Sequence, residues 1–367
     1  MRIAFYAPLK SPDHPVPSGD RQMARALVRA LGLAGHEVLL VSGLRAYLPD
    51  PEGTETYAAL RALATAEVAR IAAQWQREGV PDLWFCYHPY YKSPDLIGPD
   101  LCSRFNIPWV SAEASLSARR GQGIWVQTQA AVAHAVRSAG MNFAITARDR
   151  AGLRALEPEA RIMALAPFID LAASETAVAP ITADREGALL VTVAMMRAGD
   201  KLESYRALAA ALALLPQDCR WHLAVAGGGP MAAEVAGMFP QARVDWLGEL
   251  PASGVAGLLA RGGVYVWPGC GEAYGLAYLE AQAAGLPVVA WATAGVPEVV
   301  EDGTTGLLAP DRDISGLADR IARLLRDREL RQRLGRAARA RVLARHRIES
   351  AAATLGAGLR RVMEDRS

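Results

Sequence analysis

The sequence predicts an α/β protein wound as two parallel-sheet halves. Three observations carry this. Short β-branched and apolar runs alternate with longer runs of helical period, each run ends in Gly or Pro, and the alternation starts again at Ala188 after a small-residue stretch, Ala172 to Arg185, that reads as a linker. Parallel neighbours need a crossover between them, and helices of this length supply it.

In the first half, strands are expected over Arg2–Ala7, Glu37–Ser42, Leu83–Tyr87, Trp109–Ala112 and Phe143–Thr146. Met23, Ala26, Leu27, Ala30 and Leu31 recur at helical spacing within Gly19–Ala34. A longer helix is expected over Tyr57–Glu78, where Gly79 and Pro81 stop it.

The second half reads as strand Ala188–Ala194, helix 202–215, strand Trp221–Ala226, the turn Gly227-Gly228-Gly229-Pro230 and strand Arg243–Leu247. Helix 254–260, strand Val264–Trp267, helix 275–285 and strand Pro287–Trp291 follow. Helices over 314–326, 329–345 and 348–363 close the chain, and Ile314, Leu317, Ile321, Leu324 and Leu325 share one face, which leaves the arginines mostly on the other. The expected domains are 1–170 and 171–345, with 346–367 a last helix directed back towards the first.

The 367 residues are 51% hydrophobic and 21% charged, a composition that excludes a disordered tail or linker. Forty Lys+Arg against 38 Asp+Glu leave a charge of +2, without the basic surplus of a nucleic-acid binder. Cys86, Cys102, Cys219 and Cys270 are widely spaced, form no metal-binding pattern and read as core thiols of a cytoplasmic protein. The chain enters a strand at Ile3 rather than a signal peptide, and no 18-residue apolar run is present. Arg21, Arg25 and Arg29 lie a turn apart, a spacing that suits a solvated face or peripheral contact with the inner face of a membrane.

Open α/β sheets bind ligands at the carboxyl ends of their strands, so chemistry is sought in the strand-to-helix loops. The stretch Gly269–Glu280 is the most informative. A helix starting near Gly275 exposes the amides of Gly275, Leu276 and Ala277, which suit a phosphate or another anion. Glu272 and Glu280 bracket this start. Carboxylates beside an anion site make sense as acceptors for hydroxyls, as on the ribose and sugar of a nucleotide sugar. A capped, solvent-facing helix with incidental glutamates is the alternative from pattern alone. Asp311-Arg312-Asp313 precedes a helix, and Asp313 is read as its N-cap rather than as a metal ligand.

The segment Glu272–Pro310, EAYGLAYLEAQAAGLPVVAWATAGVPEVVEDGTTGLLAP, closely resembles the donor-site signature of glycosyltransferase family 4, retaining enzymes of GT-B fold. It carries the Glu-x7-Glu pair and the Ala-Gly-Leu-Pro-Val-Val strand entry. Pro17-Ser18-Gly19-Asp20 and Gly35-His36-Glu37-Val38 resemble the family's glycine loop and second strand, and Ala166-Pro167-Phe168-Ile169-Asp170 its interdomain junction. The resemblance implies two Rossmann-like domains facing each other across a cleft. It also implies a metal-independent hexosyltransferase with no cofactor, taking a nucleoside-diphosphate sugar as co-substrate and a glycan, lipid-linked or small-molecule acceptor.

The same resemblance implies roles for individual residues. Glu272 would contact the donor sugar and Glu280 the ribose, with Tyr274, Gly275, Leu276 and Ala277 holding sugar and diphosphate through backbone amides. Arg197 and Lys201 would face the diphosphate, at a four-residue interval where the family usually has five. Fixed cations stabilise a departing diphosphate more in the transition state than before it. Gly19 would let backbone approach the diphosphate or sugar, and Asp20, His88 and Glu113 are candidates for acceptor or sugar contact. The family's N-domain histidine is absent near Trp109–Ala112, where Glu113 stands. A pivot is expected over Asp170–Arg185. A nucleotide-sugar-binding protein without turnover, and another GT-B enzyme such as an epimerase or phosphorylase, are the alternatives.

Overall fold

Two parallel sheets of six strands each organise the chain. The structure, a computed structural model, describes residues 1–16, 18–117, 121–171 and 188–366. The expected linker at Ala172–Arg185, most of the expected pivot and Pro17 lie outside the described residues. Residues Met1–Ala166 with Ile348–Ser367 form one compact unit, and Pro167–Arg347 forms the other.

The first unit contains β1 (Arg2–Tyr6), α1 (Gly19–Leu33), β2 (Glu37–Leu40), α2 (Thr54–Glu78), β3 (Leu83–Tyr87), α3 (Gly98–Phe105), β4 (Trp109–Ala112), α4 (Ile124–Ser138), β5 (Met141–Ala144), α5 (Ala147–Leu156) and β6 (Ile162–Ala164). Its sheet runs β2-β1-β3-β4-β5-β6, every pair parallel. Each residue of β3 is buried, as suits a strand covered on both faces. The winding reverses between β1 and β3, so the loops that leave these two strands diverge to opposite faces and open a crevice at their carboxyl ends.

The strand expected at Phe143–Thr146 instead spans Met141–Ala144. Two polar residues explain the shift. Asn142 stays inside the sheet because its amide is fully engaged, accepting from Ser111 Oγ at 2.7 Å and donating to the carbonyls of Val136 and Arg161 at 2.9 and 3.1 Å. Thr146 leaves the strand to cap α5, its hydroxyl accepting from the Asp149 amide at 3.0 Å. The buried carboxylate of Asp95 similarly ties β3, β4 and the start of α3 together. It accepts from the indoles of Trp84 and Trp109 at 2.8 and 2.9 Å and from the amides of Ile97 and Gly98 at 3.0 and 2.7 Å.

The second unit contains β7 (Leu189–Val193), α6 (Asp200–Ala213), β8 (His222–Ala226), α7 (Ala232–Gly237), β9 (Val244–Trp246), α8 (Ala252–Arg261), β10 (Val264–Val266), α9 (Leu276–Ala283), β11 (Val288–Trp291), α10 (Val296–Val299), β12 (Gly306–Ala309), α11 (Ile314–Arg326) and α12 (Arg328–Arg345). Its order, β12-β11-β10-β7-β8-β9, is the Rossmann order, with the reversal between β7 and β10. Asp313 accepts from the Gly316 amide at 2.8 Å and caps α11, as read from the sequence. The last helix, α13 (Ile348–Glu364), packs on α1 and β5 of the first unit, with Arg161 and Asp365 paired at 2.6 Å.

One further expectation is corrected. Cys86, Cys102 and Cys219 are buried, but Cys270 is half-exposed, because it sits in the loop after β10 rather than in the strand. On α1, Arg25 and Arg29 are exposed, and Arg21 and Arg25 also engage the loop before the helix. Their guanidinium groups donate to the carbonyls of His14 and Pro12 at 2.9 and 2.7 Å and brace the loop after β1. Among the described residues, no helix is long and apolar enough to cross a membrane.

Candidate functional site

The reversal between β7 and β10 sets the geometry of the second unit's site. These strands are hydrogen-bonded neighbours, in register at Val264↔Leu190, so the loop after β7 and the loop after β10 emerge side by side. The first loop enters α6 through Gly199, at φ 82°, and places Lys201 on the opening turn. The second loop carries Glu272. The Lys201 ammonium rests on Glu272 Oε1, and the two side chains are 20% and 17% exposed, so the pair is partly shielded from water. The same carboxylate oxygen accepts from the Trp267 indole N–H at 3.1 Å, and Lys201 Nζ lies 5.4 Å from the centre of the Trp267 ring.

Helix α9 begins one residue beyond this loop. Gly275, its N-cap, takes φ 73°, a backbone conformation that a side chain disfavours, and an added Cβ would lie 2.5 Å from the Tyr278 ring. The first amide of the helix to find a backbone acceptor is that of Tyr278, which donates to Gly275 O at 3.1 Å. The amides of Gly275, Leu276 and Ala277 therefore lack a helical acceptor, and the helix dipole adds positive potential at the same point. The loop is locked from outside by Gly295, whose amide donates to Glu272 O at 3.2 Å and whose missing side chain leaves room for the Ala273 carbonyl.

Glu280 lies in the second turn of α9, half-buried, and loss of water around it pushes its carboxyl up to about 7. Its carboxyl forms no hydrogen bond with a described residue. Both Glu272 and Glu280 act on the buried phenol of Tyr265 beneath them, which burial and their charges raise well above its ordinary value. The two glutamates thus bear on one neighbourhood. Tyr274 is buried. Arg197 is exposed and makes no hydrogen bond or ion pair with a described residue, so Lys201 is brought to Glu272 and Arg197 is not.

The glycine turn after β8 has a structural cause. Cβ atoms on Gly227 and Gly229 would collide with the carbonyls of Ala194 and Met196, because this turn packs its backbone on the loop that follows β7. The Met196 amide donates to Gly228 O at 2.8 Å.

The first unit's reversal, between β1 and β3, assembles a second group. Gly19 opens α1, capped by Ser18, and an added Cβ there would meet no atom within 4 Å. Asp20, next along, pairs with His88 Nδ1 at 3.1 Å. Burial works against the Asp20 charge, but the hydrogen bond and charge of His88, with the charge of Lys10, outweigh it and hold the carboxyl below its ordinary value. Burial likewise works against the His88 cation, and Glu113, Asp20 and Asp149 overcome it, raising the imidazole to about 9. Glu113 is 6% exposed, and its carboxyl is pushed up to about 7 by burial and by the charges of Asp149 and Asp20, against the opposing pull of His88 and a hydrogen bond from Tyr87.

His88 and Glu113 are the residues that follow β3 and β4, and each takes φ 58°. This left-handed conformation is uncommon for residues with a side chain and turns both chains sharply off the sheet while their amides still pair, with Ala112 O at 2.8 Å and Phe143 O at 2.9 Å. Three contributors were not singled out from the sequence. Trp267 and Asp149 are two of them, and Tyr90, whose ring stacks on His88 with centroids 5.0 Å apart, is the third. Only Asp149 had a local signal, as the last residue of Thr146-x-x-Asp149 at a helix start.

Comparison with known proteins places these features. Residues 171–327 match the family model for glycosyl transferases group 1. The sulfoquinovosyl transferase SQD2 of Arabidopsis thaliana is 34% identical over 121 residues, which cover 32% of this chain and 24% of that protein. The N-acetyl-alpha-D-glucosaminyl L-malate synthase of Bacillus anthracis is 38% identical over 107 residues, 29% of this chain and 28% of that one. The chain thus matches about a quarter of the length of these relatives. Among solved structures, the sucrose-phosphate synthase of Thermosynechococcus elongatus aligns over 100% of both chains at 22% identity with a TM-score of 0.76. Anabaena Alr3699/HepE in complex with UDP and glucose covers 98% of this chain and 99% of its own at 16% identity, with a TM-score of 0.69. The fold is therefore that of the GT-B glycosyltransferases, two Rossmann-like units, and the segment that carries Lys201, Glu272 and Glu280 matches glycosyl transferases group 1.

Proposed function

We propose that the protein is a retaining, metal-independent glycosyltransferase of the family 4 type, which binds a nucleoside-diphosphate sugar on its second unit and transfers the sugar to a hydroxyl-bearing acceptor. One observation carries the reading. Lys201 and Glu272 meet at the β7/β10 reversal, beside the open amides of α9, inside the segment that matches the glycosyltransferase family model. The neighbour Alr3699/HepE, solved in complex with UDP and glucose, supports a nucleotide sugar as donor.

On this reading, the α9 amides hold the diphosphate, Glu280 accepts from the ribose, and Glu272 accepts from hydroxyls of the sugar. Lys201 and the exposed Arg197 supply positive charge as the glycosidic bond breaks. That charge is worth most in the transition state, when the diphosphate has gained its negative charge. The diphosphate takes the acceptor proton on the same sugar face, so no separate base is needed. Gly19, Asp20, His88 and Glu113 are assigned to sugar or acceptor contact, and no cofactor enters.

A second reading, a binding protein without turnover, has one observation in its favour: the Glu272 carboxylate neutralises the Lys201 ammonium. Thermal stabilisation by UDP-, GDP- and ADP-sugars, followed by release of the nucleoside diphosphate with pooled acceptors, separates them. The proposal expects both binding and acceptor-dependent release. Binding without release favours the second reading, conversion of the donor without acceptor indicates an epimerase, and no binding overturns the donor site.

A further inference from the structure

Trp267 directly follows β10 at the floor of the proposed donor site and is 2% exposed. Its carbonyl accepts from the Tyr278 hydroxyl at 3.1 Å, its amide donates to Val289 O at 3.1 Å, and the Tyr205 ring packs edge-on against it with centroids 4.9 Å apart. An indole N–H is a donor only, and a buried one needs an acceptor. Here the acceptor is Glu272 Oε1, at 3.1 Å. The face of the same ring lies under Lys201, 5.4 Å from ring centre to Nζ.

We propose that Trp267 is a positioning residue of the donor site, its indole N–H and ring face together fixing the Glu272 carboxylate and the Lys201 ammonium in one orientation. The proposal rests on the donor-site reading above. Both donors converge on Oε1, and Oε2 has no hydrogen-bond partner among the described residues. One oxygen is thus anchored while the other is held ready to accept a hydroxyl, so binding a sugar costs little rearrangement. Lys201 alone could not do this, because its flexible side chain would follow the carboxylate rather than hold it. Phenylalanine would fill most of the same space and offer a ring to the ammonium, yet it has no N–H to hold the carboxylate.

The test compares wild type with Trp267→Phe and Trp267→Tyr, which keep an aromatic face and lack the indole N–H. Affinities are measured for UDP, GDP and ADP and for UDP-glucose, GDP-mannose and ADP-glucose. The expected result is that the Kd of the sugar nucleotide rises roughly tenfold relative to that of its own diphosphate, which itself binds as before. In a Glu272→Gln background, Trp267→Phe should then have little further effect. Equal weakening of diphosphate and sugar nucleotide, or an unchanged ratio, indicates a merely structural tryptophan and overturns the proposal. If wild type binds none of the six probes, the donor-site reading fails and takes the proposal with it. Should neither variant fold, a crystal structure of wild type with the tightest-binding of the three sugar nucleotides decides. An intact Trp267–Glu272 bond supports the assignment, and a Glu272 turned away from the indole overturns it.

Discussion

The ammonium of Lys201 rests on the Glu272 carboxylate, 71 residues further along the chain. Local structure does not bring them together. The contact exists because β7 and β10 are neighbours in the sheet, so the residues that follow each strand share one crevice. The pair also neutralises a half-buried lysine and a half-buried glutamate whose separate burial would be costly.

Replacing Lys201 by Ala removes a cation proposed to face the leaving diphosphate. Turnover should fall by about 10²–10³-fold with a smaller change in KM for the donor, the pattern of an interaction made mainly in the transition state. Steady-state release of nucleoside diphosphate measures both constants. Full kcat in the variant would remove Lys201 from the mechanism.

Glu280 gives a pH signature. Its carboxyl rises from an ordinary 4.5 to about 7 in the folded chain. The native state therefore holds the proton more tightly, and stability falls as pH rises from about 4.5 to about 7 and is level above that. Glu280→Gln carries no charge at any pH and should be more stable than wild type at pH 8, by on the order of 1–3 kcal/mol, with the advantage vanishing near pH 4.5. The same variant should bind nucleotide more weakly through the ribose. Denaturant melts across pH and nucleotide titrations check the two halves of this prediction.

The Asp20–His88 pair also loses stability as pH rises, but over a higher range. His88 is raised from its ordinary 6.5 to about 9, so its stabilising contribution is complete below about pH 6.5 and is lost as pH rises through about 9. Asp20→Asn removes one of the anions that hold the proton. Titration of the His88 ring by NMR should show its pKa fall by roughly one unit. A value unmoved by the substitution would assign the shift to Glu113 and Asp149 alone.

Asp95 predicts a purely structural effect. Asp95→Ala leaves two indole donors and two backbone amides without their acceptor in the core of the first unit. A loss of about 3–5 kcal/mol is expected in chemical denaturation, with nucleotide affinity at the second unit unchanged in whatever fraction stays folded.

Gly295→Ala should act on the loop that carries Glu272. The new methyl would collide with the Ala273 carbonyl, and the loop must shift to admit it. A stability cost of about 1–3 kcal/mol and a several-fold weaker sugar-nucleotide affinity are expected, read from thermal melts with and without ligand.

Much of the second unit was legible in the sequence because its signals are local. The helix start after Gly275 and the seven-residue interval between Glu272 and Glu280 follow from a glycine, a helical period and a resemblance carried by one uninterrupted segment. Asp313 was legible as a cap from its place before Ile314. The edge strand β12 was not, since Gly306–Ala309 lacks the β-branched residues that mark β10 and β11 and is held extended by pairing with β11. Nor was the start of β5, where Asn142 looks like a loop residue until its three hydrogen bonds inside the sheet are seen.

What the sequence determined by itself was therefore the alternation of strand and helix and the residues that end each strand, because backbone propensity, capping and periodicity act over a few positions. The tertiary structure alone decided which strand ends stand together: β1 beside β3, joining Asp20 to His88, and β7 beside β10, joining Lys201, Glu272 and Trp267. Strand order is settled by burial of whole faces against distant helices. Its products, an imidazole raised to about 9 and an ammonium set on a carboxylate 71 residues away, have no local precursor in the chain.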